Sequence, residues 1–456
     1  MLLILKLLNK FFNNLGFDGA IMYTISARLI QVLGTLVNIF LISQYLSKDE
    51  QGYYYTFGSI VGIQIFFELG LNSILIQFVA HEKVHVSLND NHEFSGNPEN
   101  LSRLSSLLRF CINVFSKLSI VLFILLNIIG YLFFKKFSNN VVEINWQLPW
   151  VLLCFSTSLM LIVDPIMGFF QGIGQVKDTA RVFLFQQIAT LLTSILILYL
   201  GGGLWALGIS NLMSAIILIY FLKRTYRNKL LKFIYNKLGD WKVNYKKEIF
   251  PYQWKIALSW ISGYFIFQLF NPVLFATEGA TVAGQMGMSI SAFNGISAIS
   301  MSWISTKIPL FSGMIANRDF KKLDIIFNVT LKRLLLVCSI LLSSFLIFIY
   351  ILNYFQFELA SRFLPLPYLI VLSFITLINQ LIFSWATFLR CHKKEPFLLN
   401  SIVGAIACAM STIILGHYFG LKGLLLGYFS ITFFSGLPWA YYIFKNKKFE
   451  YRKVNI

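Results

Sequence analysis

Apolar runs of about 20 residues recur about twelve times along the chain, separated by short polar segments. A run of that length crosses roughly 30 Å of hydrocarbon as a helix. The pattern predicts spans over Ile21–Leu46, Tyr53–Ala80, Ser105–Phe134, Leu148–Phe170, Val182–Leu200 and Leu204–Leu222. A second set covers Trp254–Thr277, Ala283–Pro309, Leu334–Leu352, Leu364–Phe388, Leu398–Tyr418 and Leu424–Phe444. Only short loops remain between them, so whatever the protein does, it does in the membrane. The expected fold is an all-α integral membrane protein with about twelve transmembrane helices.

The longest polar interruption, Lys223–Gln253, divides the spans into two sets of six. The organisation predicted is a six-helix bundle over 1–222, a basic linker over 223–253, and a second six-helix bundle over 254–456. The halves also resemble each other. A shift of 219 residues sets Phe169 on Phe388, Gly201 on Gly420 and Gly208 on Gly427. Two parallel repeats related by an axis along the membrane normal are a known transporter plan.

Composition agrees with the pattern, since 12% charged residues is about half of what a soluble domain carries. The net charge of +19 would suggest nucleic acid in a soluble protein. Here its distribution supplies another cause. With the N-terminus in the cytoplasm, 30 of the 38 Lys and Arg fall on the cytoplasmic side and 5 on the other. That asymmetry is the positive-inside signal. It places both termini in the cytoplasm, and no nucleic-acid partner is needed to explain the charge. Met1–Phe12 lacks a cleavage site and reads as an interfacial helix. The linker reads as a helix on anionic headgroups, with a docking site for a cytoplasmic partner as the sharper alternative. Five scattered cysteines suggest neither disulfides nor a metal cluster, and no cofactor is implied.

Polar side chains within a bilayer are costly and normally face a protein interior or a hydrated cavity. Arg28, Gln31, Thr35 and Asn38 share one face of span one, and Gln64, Glu68 and Asn72 one face of span two. Span three adds Arg109, Asn113 and Lys117, with Arg109 near enough to the span end to snorkel. Asp164 precedes Pro165, and Asn271 precedes Pro272, following Gln268. Each proline is expected to kink its helix beside a hydrated cavity. Asn294 lies in a hydroxyl-rich span eight. Helix-to-helix hydrogen bonding accounts for the Ser and Thr positions. For Arg28, Glu68 and Asp164 a functional role is the default reading, and Glu68 is also a candidate partner for Arg28.

Several ordered pieces resemble the polysaccharide flippases, the Wzx-type O-antigen and capsule transporters of the multidrug/oligosaccharidyl-lipid/polysaccharide exporter superfamily. They are Glu68-Leu69-Gly70-Leu71-Asn72; Phe170-Gln171-Gly172-Ile173-Gly174-Gln175; Asn271-Pro272-Val273-Leu274-Phe275 with Ala283-Gly284-Gln285-Met286-Gly287-Met288; and Lys307-Ile308-Pro309. The resemblance implies a V-shaped exporter in the bacterial inner membrane with a cationic lumen. It would flip a polyprenyl-pyrophosphate-linked oligosaccharide to the periplasmic leaflet, with a glycan polymerase as a possible partner. Arg28, whose planar fork suits phosphate oxygens, is the first candidate for the pyrophosphate and Lys117 the second. Gln31, Asn38, Gln268, Asn271 and Asn294 are candidate substrate contacts, and Glu68 and Asp164 candidate ion-coupling groups. An acid expected in span seven is replaced by Asn271, against ion coupling there.

Other readings stay open. A drug or small-solute exporter of the same superfamily fits the same spans. His81-Glu82-Lys83-Val84-His85 matches the HExxH zinc-protease pattern, with His92 and Glu99 nearby as further ligands. A glycan polymerase would want larger periplasmic loops than Lys135–Gln147 and Asn353–Phe363. No GxxxxGK[ST] loop supports ATP-driven transport.

Overall fold

The computed structural model of the protein describes residues 19–88, 94–138, 144–237, 239–392 and 394–453. Met1–Phe12 and His92 lie outside the described residues. Among these, eight helices are long and apolar enough to cross a membrane. Of the other predicted spans, the second is broken, the last two run together, and the eighth falls on Ala280–Ser305, a 26-residue helix that is not among those eight.

The first half contains α1 (Gly19–Tyr45), α2 (Lys48–Val61), α3 (Leu71–Lys83), a two-stranded antiparallel hairpin of β1 (Val86–Leu88) and β2 (Phe94–Gly96), α4 (Pro98–Phe137), α5 (Gln147–Gly172), α6 (Val176–Tyr199) and α7 (Trp205–Lys223). The linker holds α8 (Thr225–Asn236). The second half contains α9 (Phe250–Phe267), α10 (Phe270–Glu278), α11 (Ala280–Ser305), α12 (Ile308–Ala316), α13 (Phe320–Tyr354), α14 (Leu366–Arg390), α15 (Leu398–Ser430) and α16 (Leu437–Lys453).

Backbone sterics decide where the spans break. Predicted span two divides into α2 and α3. Between them lie a 3-10 turn over Gly62–Gln64 and a single helical turn over Ile65–Glu68, then left-handed backbone at Leu69 (φ 48°) and Gly70 (φ 65°). A left-handed leucine costs roughly 1 kcal/mol, so surrounding packing must hold the break in place. Span seven divides at Gln268–Leu269, which puts Pro272 in the first turn of α10, where its missing N–H costs little. At Pro165, by contrast, α5 runs on as one helix with the proline inside it. Within α15 the helix leaves helical geometry at Gly420 (φ 55°, ψ −140°), at the join between two predicted spans.

The repeat is visible in the backbone. With the 219-residue shift, the start of α5 at Gln147 falls on the start of α14 at Leu366. Phe169 and Phe388 are both fully buried, and Gly201 and Gly420 both adopt positive φ, 76° and 55°.

Packing separates the chain into two units. Among the described residues, unit 1 comprises those within 19–41, 63–136 and 144–260, and unit 2 those within 42–62, 137–138 and 261–453. The end of α1 and all of α2 therefore pack with helices from the second half of the sequence. Unit 1 buries Trp150 against Gly130 and Phe134. Unit 2 buries an aromatic cluster of Phe311, Phe327 and Phe388 with Phe444 and Trp385 beside it.

Candidate functional site

Unit 1 holds the carboxylates. Helix α3 lies against α5, and glycines set the approach: a Cβ on Gly168 would overlap the Asn72 Oδ1, and one on Gly172 would come within 2.6 Å of the Val79 Cβ. Small residues let two membrane helices close to this distance. The contact of Asn72 with Gly168 brings the break at Glu68 toward the turn of α5 that carries Asp164, one turn earlier in the chain in each case. Both carboxyls are half-buried, and among the described residues neither has an ion-pair or hydrogen-bond partner. Asn72 Oδ1 is buried without a donor. The proposed Glu68–Arg28 pair falls outside the described residues, because the Arg28 side chain does.

Gly70 opposes Ile256 Cγ2, so the acidic-Leu-Gly-Leu piece marks a backbone break held by packing. The Gln171-Gly172-Ile173-Gly174 piece forms the turn after α5, with Gly174 at φ 94° and its N–H donating to the Gln171 carbonyl at 3.0 Å. In unit 2, Gly52, Gly284 and Gly287 allow α2 and α11 to touch through backbone: a Cβ on Gly52 would overlap the Ala280 carbonyl, and one on Gly287 the Tyr55 ring. Pro309 opens α12. Each motif thus lies at a turn, break or close approach, where residue type is sterically constrained.

The other candidates separate into two groups. Asn38 accepts a hydrogen bond from Ser194 at 3.0 Å and ties α1 to α6. Asn271 donates to Ser59 at 3.0 Å and is 7% exposed, although its Oδ1 is buried without a donor. Gln31, Lys117, Gln268 and Asn294 are exposed. Lys117 lies on the stripe of α4 that carries Ile120, Ile124 and Ile128.

Three polar clusters went unread in the sequence. Gln51 donates to the Gly284 and Arg362 carbonyls at 2.9 and 3.0 Å, and Arg362 is only 6% exposed. Glu278 accepts from the Leu421 N–H at 2.5 Å. Arg103 donates to Glu82 at 2.7 Å and to Glu248 at 2.5 Å. The last, together with the contacts of Arg109, corrects earlier expectations. Glu82, the acid of the HExxH run, is 4% exposed and bound through both oxygens, to Arg103 and to Asn100 at 2.7 Å. It is not available as a general base, His81 and His85 are exposed, and among the described residues no metal-holding cluster forms. Nor does the linker simply rest on headgroups. Arg109 does not snorkel: it donates twice to the Tyr235 carbonyl, at 3.0 and 2.8 Å, and stacks on the Tyr235 ring. Ser105 donates to the same carbonyl, and Ser102 to that of Trp241 at 2.6 Å, so the linker is stitched to the first turns of α4.

Burial raises the Glu248 carboxyl, but the Arg103 guanidinium and the Asn244 N–H outweigh it and hold the group below the ordinary carboxylate range.

No family model and no curated protein matches the chain. Solved structures do. It is similar to a multidrug resistance MATE family transporter of the MOP superfamily in an inward-facing conformation, with TM-score 0.59 and 13% identity over 94% of this chain and 99% of that one. The chain shares the fold of this transporter. A lipid II flippase, MurJ, shares it with TM-score 0.58 and 14% identity over 95% of this chain and 90% of that one. The MATE multidrug transporter DinF-BH shares it with TM-score 0.59 and 13% identity over 94% and 95%. These neighbours are transporters and a flippase, and the protein is a multi-pass, all-α membrane protein.

Proposed function

We propose that the protein is a flippase for polyprenyl-pyrophosphate-linked oligosaccharide, carrying O-antigen or capsule repeat units from the cytoplasmic to the periplasmic leaflet of a bacterial inner membrane by alternating access. Both termini are cytoplasmic in this reading, and a glycan polymerase takes the product. The observation that carries it is the coincidence of the flippase-like motifs with the steric break and crossing points of a fold shared with a lipid II flippase. A pyrophosphate and its sugars cannot cross hydrocarbon unaided, because stripping their water is too costly. Arg28 takes the diphosphate, with Lys117 as the second cation. Gln31, Gln268 and Asn294, which are exposed, offer sugar contacts, whereas Asn38 and Asn271 contribute mainly by joining helices. Glu68 and Asp164 couple transport to a cation gradient.

The second reading is a drug exporter of the same superfamily, favoured by the equal likeness to MATE transporters. Reconstituted vesicles separate the two. Labelled lipid-linked oligosaccharide should move between leaflets with the wild type and stop with Arg28→Glu at unchanged protein level. Unimpaired flipping by Arg28→Glu sinks the Arg28 assignment, and gradient-driven drug uptake without any lipid flipping replaces the flippase reading.

A further inference from the structure

A groove in unit 1 belongs to none of the residues discussed so far. It has a volume of about 290 Å³ and lies between the start of α6 and the end of α7. Its wall is apolar, from Val182, Phe185, Ile217 and Phe221, and its polar lining is Asp178, Arg181, Arg224 and Tyr220. The two guanidiniums are placed alike. Arg181 lies 5.7 Å from the centre of the Phe185 ring, and Arg224 lies 5.8 Å from that of Tyr220. Both arginines are exposed, while Asp178 already has a partner within the protein.

The level of the groove follows from the sequence. Arg181 immediately precedes predicted span five, and Arg224 follows span six within the basic linker. Tyr at such a position marks the interface between hydrocarbon and headgroups. A cavity there, apolar below and ringed by two planar cations, matches a molecule with an acyl chain and a phosphate. Basic pockets between membrane helices on the cytoplasmic side take anionic headgroups, and guanidinium forks suit phosphate oxygens. We propose that this groove between α6 and α7 is a binding site for an anionic glycerophospholipid of the surrounding leaflet, its phosphate held by Arg181 and Arg224 and its chain laid along Phe185, Ile217 and Phe221. The source is bulk membrane lipid, which is present at high local concentration, and the site is independent of the transported substrate.

Native mass spectrometry of the full chain in detergent, titrated with phosphatidylglycerol or phosphatidylcholine, tests this. The wild type should retain one phosphatidylglycerol in preference to phosphatidylcholine. Arg181→Ala/Arg224→Ala should bind it roughly 30-fold more weakly, as expected for the loss of two interfacial cations. Lys332→Ala/Arg333→Ala removes two exposed cations elsewhere and should bind as the wild type does. Equal binding by the Arg181/Arg224 variant overturns the site, as does equal weakening by the Lys332/Arg333 variant. Displacement of phosphatidylglycerol by equimolar farnesyl diphosphate would reassign the groove to isoprenoid diphosphates. None of these measurements depends on flipping, so they stand or fall apart from the function proposed above.

Discussion

The Glu278 carboxylate occupies the space a side chain on Gly420 would need, while accepting the N–H of Leu421. At the repeat-related Gly201 nothing lies within 4 Å of the corresponding position. Both glycines have positive φ. Gly201→Ala should therefore cost only left-handed strain, about 1 kcal/mol. Gly420→Ala should cost about 3 kcal/mol, because it adds overlap and displaces the carboxylate that accepts the Leu421 N–H. Thermal unfolding of the two purified variants checks the order, and equal midpoints would refute it.

Arg103 should be needed for a different reason. Replacing it with Ala leaves Glu82 buried beside a single amide donor, Asn100, and releases Glu248 at the end of the linker. Removing one partner of a buried pair costs about 3 kcal/mol. The Glu82→Gln/Arg103→Ala double variant, which removes the stranded charge, should recover part of that loss. No recovery in the melting midpoint would mean that Glu82 is not the group at stake.

The same cluster predicts a pH dependence. Glu248 is held below its ordinary value by Arg103 and Asn244. A depressed carboxyl contributes stability above the unfolded value, about pH 4.3 for Glu, and loses it as pH falls through the folded value. The wild type should thus lose linker protection in amide hydrogen exchange between about pH 4.3 and lower pH. Glu248→Gln should show little of that slope, with weaker protection already at pH 7.

Glu68 and Asp164 predict how transport is driven. An ion drives a cycle only when bound more tightly in one state than in the other. Glu68→Gln and Asp164→Asn keep shape and remove titration. If the pair couples the gradient, each should reduce gradient-driven flipping in vesicles by tenfold or more while substrate still binds. Unchanged dependence on the imposed gradient in both variants would make the acids structural.

The spans were legible because about 20 apolar residues have few other uses, and the repeat because a buried Phe (Phe169/Phe388) and a positive-φ Gly (Gly201/Gly420) recur at one spacing in each half. The sites were less so. Helical phase shows that Asn38 and Gln31 share a face, but not that Asn38 meets Ser194 while Gln31 is exposed. Arg109 read as a span-end cation because its partner is a main-chain carbonyl, at Tyr235, which side-chain patterning cannot display. The break at Leu69–Gly70 had a signal in Gly62 and Gly70. It was missed because nothing in hydropathy separates a broken span from a whole one. Gln51 reads as a loop-side amide until the partner glycine of α11 is known.

That partner arrives late. Gln51 and Gly284 are 233 residues apart, and a ribosome adding roughly 5–20 residues per second needs on the order of ten to fifty seconds to cover the distance. Throughout that interval α2 is already in the bilayer with its glycine face and the Gln51 amide unmatched. The newborn first half is thus an obligate intermediate that cannot complete its own packing. The packing of α2 is therefore completed only once α11, made much later, has been inserted.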